Sequence, residues 1–229
     1  MPGAHDGDLA SKEAWAMVDS DSDPQPGGVA TPVADQPGLP GPVEITDEAR
    51  RQLLHVARVA VGVAARALPS RALESAMAEL PAMALHASAF VTLTEDGELR
   101  GCMGIMDPDR PVLDSVAEAA ACATRTDPRF RPVDPAELQR LEVDVSVLGP
   151  LIPLRDPLAF RLGIDGVVVR QGGRRGLLLP EVATENGLDQ RGTLEIASRK
   201  AGLAPGAWAD PATTVLAFRT DRFGGPAVA

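Results

Sequence analysis

The tetrapeptide Glu95-Asp96-Gly97-Glu98 stands between two β-prone runs, Ala89-Phe90-Val91-Thr92-Leu93-Thr94 and Leu99 to Ile105. Asp-Gly between apolar runs is a strong short-range hairpin signal, because both residues tolerate the positive φ of a tight turn. An antiparallel pair is therefore built into this part of the chain. The signal recurs: Gly166 to Arg170 and Gly176 to Leu179 flank Gln171-Gly172-Gly173-Arg174-Arg175. Leu141, Val143, Val145 and Val147 alternate with Glu142, Asp144 and Ser146, the pattern of a half-buried strand. Thr213 to Phe218 reads as a final strand.

Helical segments are interleaved with these strands. Thr46 is placed to cap a helix whose first turn holds Asp47 and Glu48. Its apolar positions Leu53, Leu54, Ala57, Val61, Ala64 and Leu68 predict a run ending at Pro69. Shorter helices are expected from Arg71 to Leu80, from about Arg110 to Thr126 and from about Thr193 to Ala201, the last ending at Gly202. Asp134-Pro135-Ala136-Glu137 carries the start signal of another, with an acidic cap, Pro at the first position and Glu at the third. In the 110–126 helix the apolar stripe is Val112, Val116, Ala119 and Ala123, and Cys122 falls beside Ser115, Glu118 and Arg125. Hairpins recur and regular βαβ spacing is missing. The expected fold class is α+β, a mainly antiparallel sheet flanked by helices.

Residues 1–41 differ from the rest. They hold six Pro, six Gly and seven acidic residues against Lys12 alone. Such a segment buries too little apolar area to offset the entropy of ordering it. It is expected to be a disordered acidic tail, with Leu9 to Val18 as a transient helix and a folded domain over 42–229.

The chain has a net charge of −10 and is 3% aromatic, which argues against nucleic-acid binding. Cys102 and Cys122 make no disulfide framework, and no signal segment or membrane-length apolar run is visible, so a cytoplasmic protein with no membrane association is expected. No metal-ligand spacing and no Gly-x-Ser-x-Gly nucleophile elbow is present, so no metal site is expected.

Three segments are candidates for chemistry. In Arg100-Gly101-Cys102-Met103-Gly104 a cysteine sits between glycines, which allow close backbone approach. Strand alternation puts Arg100 on the same face as Cys102. Spacing alone favours a buried cysteine filling a gap over a reactive thiol. In Asp127-Pro128-Arg129-Phe130, Asp127 follows a helix end, where the dipole disfavours an acid, so Arg129 or Arg100 should compensate it. A structural loop held by one ion pair, with Phe130 plugging the core, outweighs a binding wall here. The third segment, Gly172-Gly173-Arg174-Arg175-Gly176, reads as a plain hairpin because it lacks the Lys-Ser/Thr ending of a phosphate loop.

Taken in order, Phe90-Val91-Thr92-Leu93, Leu99-Arg100-Gly101-Cys102-Met103-Gly104, Asp127-Pro128-Arg129-Phe130 and Val145-Ser146-Val147-Leu148 resemble the successive signatures of the AMMECR domain family. Gly163-Ile164-Asp165-Gly166-Val167, Arg175 to Ala183, and Lys200-Ala201-Gly202-Leu203 with Trp208 continue the resemblance across roughly residues 45–220. It implies an α+β fold with a larger and a smaller lobe, and no established reaction or cofactor. Bacterial relatives are described as protein A of the AmmeMemoRadiSam system, which implies a Memo-like protein and a radical S-adenosylmethionine protein as partners. It also implies a functional site at the cysteine motif. There Cys102 is the candidate nucleophile or redox thiol, Arg100 holds an anion or the thiolate, and Asp127 orients Arg100 or Arg129. Gly101, Gly104, Arg129 and Phe130 would bind a small molecule. The competing reading is a non-catalytic interaction module in which Cys102 is structural.

Overall fold

The structure is a computed structural model that describes Ala16–Val18, residues 44–80 and residues 83–228. These residues divide into two compact α+β units: one built on 45–147 and 222–228 and including Ala16–Val18, the other on 148–221.

The first unit is a five-stranded sheet in the order β1-β3-β2-β4-β9 (Ala16–Val18, Glu98–Ile105, Ala89–Glu95, Leu141–Leu148 and Thr220–Pro226). The two central pairings, β2 with β3 and β2 with β4, are antiparallel. β1 lies parallel to β3, Ala16 opposite Met103 and Val18 opposite Ile105. The transient helix expected over Leu9 to Val18 is thus a strand at Ala16–Val18; its other residues, and the rest of the expected tail up to residue 41, lie outside the described residues.

Helices α1 (Asp47–Ala64) and α3 (Val112–Arg125) pack on each other, and α3 packs on β2 and β3. Thr46 caps α1 by accepting from Ala49 N at 3.2 Å. The α3 stripe of Val112, Val116, Ala119 and Ala123 is buried, and so is Ser115, which the helical wheel had grouped with Cys122. α2 (Arg71–Ala78) matches its expected start. α1 is shorter than expected, and Leu68 is exposed rather than part of its stripe. The helix stops because Arg66 takes the left-handed conformation, at φ 63°. Arg66 N then bonds Val63 O at 3.0 Å and Ala67 N bonds Gly62 O at 2.9 Å, a Schellman closure with Arg where Gly is usual. Leu68 folds back over Gly62, which has no side chain to obstruct it. The Asp134 start signal yields a capping box, as read, but on a six-residue 3-10 helix, Pro135–Arg140.

The second unit is a four-stranded antiparallel sheet in the order β5-β8-β6-β7 (Ile152–Pro153, Thr214–Phe218, Gly166–Gln171 and Arg174–Leu178). Helices α4 (Pro180–Glu185) and α5 (Gln190–Lys200) follow its hairpin. α5 starts three residues earlier than expected because Asp189 caps it, accepting from Gly192 N at 2.7 Å. Buried Asp165 takes Arg161 and Arg219 as ion-pair partners, at 3.0 and 2.9 Å.

Candidate functional site

The hairpin that carries the cysteine motif turns at Asp96 and Gly97, with φ of 53° and 84°. A regular two-residue hairpin would set Val91 opposite Cys102. The register instead shifts after Leu93–Thr94, so that Leu93 faces Gly101, Thr92 faces Cys102 and Arg100 is the extra residue. Such a bulge interrupts strand alternation and re-aims the side chains beside it.

The bulge corrects the expectation that Arg100 supports Cys102. The two side chains have different partners. Arg100 grips Glu137 with both ends of its fork, Nε to Oε1 at 2.9 Å and Nη2 to Oε2 at 3.2 Å. It also donates to the carbonyls of Arg131 and Pro132, at 3.0 and 3.4 Å. Glu137 is the third residue of the capping box and accepts from Asp134 N at 2.6 Å. The Arg100 hydrogen bond, against some burial, holds its carboxyl below the usual glutamate value.

Cys102 is 0% exposed. Its sulfur lies 3.3 Å from Thr92 Oγ1. Its amide donates to Asp127 Oδ2 at 2.8 Å, and its carbonyl accepts from Arg129 Nη2 at 3.2 Å. Asp127 in turn pairs with Arg129, not Arg100: Arg129 Nε reaches Oδ1 at 2.9 Å and Nη2 reaches Oδ2 at 2.6 Å. Burial pushes the Asp127 carboxyl up, but the Arg129 side chain and the amides of Cys102 and Arg129 outweigh it, leaving the pKa below the usual aspartate value. This is the compensation that an acid after a helix end requires. Phe130 is half-buried rather than a core plug, with the Arg129 and Arg100 guanidinium carbons 5.2 and 5.9 Å from its ring centroid.

The glycines have internal reasons. A Cβ on Gly101 would run into the carbonyl oxygen of Ala123 in α3, and one on Gly104 into the ring of Phe90, its cross-strand partner. The close approach they permit is made by the protein's own helix and ring. Thr92, Glu137, Phe90 and Ala123 were absent from the sequence-level site. Glu137 was legible only as a cap, and Thr92 required foreknowledge of the bulge. Among the described residues no group of His, Cys, Asp and Glu is arranged to hold a metal ion.

Two mainly antiparallel sheets with flanking helices, and in the first unit a glycine-flanked cysteine clamped to an Asp-Pro-Arg-Phe loop, define an α+β protein with a built strand motif. The AMMECR1 family model matches residues 54–223, and the chain belongs to that family. A protein of Methanothermobacter thermautotrophicus is 46% identical over 140 residues, 58% of this chain and 73% of that protein. Protein NEQ441 of Nanoarchaeum equitans is 36% identical over 171 residues, 69% of this chain and 95% of its own length. The crystal structure of uncharacterized protein PH0010 from Pyrococcus horikoshii is similar with a TM-score of 0.70 at 32% identity, covering 80% of this chain and 95% of that one.

Proposed function

We propose that this AMMECR1-family chain acts as a non-catalytic interaction module in which Cys102 is a structural residue. The complete burial of Cys102, with its sulfur on Thr92 and both of its backbone polar groups held by the Asp127–Arg129 pair, carries this reading. A nucleophile must meet its substrate as an accessible thiolate, and complete burial of the sulfur opposes that access. Arg100, the intended cation, is already neutralised by Glu137. The partners under this reading are a Memo-like protein and a radical S-adenosylmethionine protein. The unbridged cysteines Cys102 and Cys122 support the reducing cytoplasm as the compartment.

Iodoacetamide alkylation against pH, read by peptide mass, tests the role of the thiol. The native protein should react at Cys122 and be protected at Cys102 until it unfolds. Rapid labelling of Cys102 below the ordinary thiol pKa of ~8.5 would instead favour the rival assignment, with Cys102, Arg100 and Asp127 catalytic and Gly101, Gly104, Arg129 and Phe130 binding a small molecule. Calorimetric titration against each purified partner tests the module itself. Cys102→Ser should bind as well as wild type once its folded fraction is matched.

A further inference from the structure

A cavity of about 420 Å³ opens in the first unit, with no residue of the cysteine motif among the described residues that line it. Val59, Ala67, Leu68, Pro135, Leu138 and Val228 give it apolar walls. Leu68 and Val228 are 42% and 43% exposed, so two of the three large exposed hydrophobic residues among the described ones border this single opening. Among the described residues that line it, His55 and Arg58 are the titratable ones and none is a carboxylate. The Arg58 Nε is buried without a hydrogen-bond partner, and no ion pair holds this guanidinium among the described residues. Its Nη2 lies 2.8 Å from where a Cβ of Gly225 would stand, so the absent side chain makes room for it against β9.

An uncompensated buried donor on a cation is costly, and here it persists in a chain of net charge −10, where acids are plentiful. Arg100 and Arg129 of the same unit, by contrast, have found theirs. We propose that this cavity binds a small amphipathic carboxylate. Its head pairs with the Arg58 guanidinium, whose planar fork matches a carboxylate. Its aliphatic tail lies on Val59, Leu68, Leu138 and Val228, and His55 stands at the same rim. The volume falls within the ~300–1,000 Å³ of ordinary ligand pockets. This site is independent of the role assigned to Cys102.

The test is an amide-resolved NMR titration of the full chain, near neutral pH, with octanoate, octan-1-ol and octylammonium. Octanoate should shift the amides of Val59, Leu68, Leu138 and Val228 and bind about tenfold or more tightly than octanol, a difference expected for one charge-assisted pair. Octylammonium should be weakest. Arg58→Gln should reduce octanoate to the level of octanol while leaving the folded spectrum intact, because Arg58 makes no ion pair whose loss would unfold the unit. Equal binding of octanoate and octanol, shifts confined to other residues, or no binding at all would overturn the proposal. So would concentration-dependent shifts at these amides without any added ligand, which would make the rim a self-docking surface. Were Arg58→Gln to unfold, the head-group comparison on the wild-type chain would still decide.

Discussion

At the scale of single residues, the motif is held together by two buried ion pairs. Asp127 with Arg129 fixes both backbone polar groups of Cys102, and Arg100 with Glu137 ties β3 to the start of the 3-10 helix. Both carboxylates titrate below their ordinary values in the folded state. Their contribution to stability is therefore complete above the unfolded pKa values of ~3.9 and ~4.3 and is lost as the pH falls through the lower folded ones. Urea denaturation across that range should show wild-type stability falling with acid. Asp127→Asn should show a flatter acid dependence, and near neutral pH it should be less stable by about 3 kcal/mol, since Arg129 is then buried without its counter-charge. Cys102→Ser should cost about 1–2 kcal/mol, since Thr92 offers the new hydroxyl only part of what water offered it; a thermal melt reads this. The motif was legible in the sequence as a family signature, and so was the need for a cation near Asp127. Which of Arg100 and Arg129 would supply it was not, because that choice depends on where Glu137 arrives from 37 residues away.

Among elements, the two units use the same devices to bring helix and sheet together. Gly101 of β3 admits the carbonyl of Ala123 in α3, and Gly176 of β7 admits the carbonyl of Ala197 in α5. Gly104 lies under the ring of its cross-strand partner Phe90, and Gly166 under the ring of Phe218, again its partner in register. An aromatic ring covering a strand glycine restores the side-chain cover the glycine lacks. Two of the five phenylalanines in the chain are used this way, which is one answer to building a core with so few rings. Gly101→Ala should therefore destabilise by about 1–3 kcal/mol, the range for forcing extra atoms into a packed interior. Gly173→Ala, in the open turn of the second hairpin, should change stability by no more than about 0.5 kcal/mol. Parallel denaturant curves of the two variants make the comparison. From sequence the glycines pointed to a ligand; the structure shows that a neighbouring helix can be what approaches. Strand β9 was missed because Thr220–Pro226 holds two Gly and a Pro and shows no alternating apolar pattern.

Over the whole molecule, the charge balance bears on partners. A net charge of −10 opposes approach to a phosphate backbone, and a gel-shift titration with single-stranded RNA or DNA should show no salt-sensitive complex. Among the described residues no helix is long and apolar enough to cross a membrane. The sequence by itself determined the α+β class, both hairpins, the capped starts at Thr46 and Asp134, and the buried stripe of α3. Each of these rests on turn chemistry or on apolar period, which neighbouring residues set between themselves. Tertiary structure decided the bulge at Arg100, the pairing of Arg100 with Glu137, the early stop of α1 at Arg66, and the cavity around Arg58. These depend on what arrives from distant parts of the chain to fill or to leave a space, and local pattern carries no record of that.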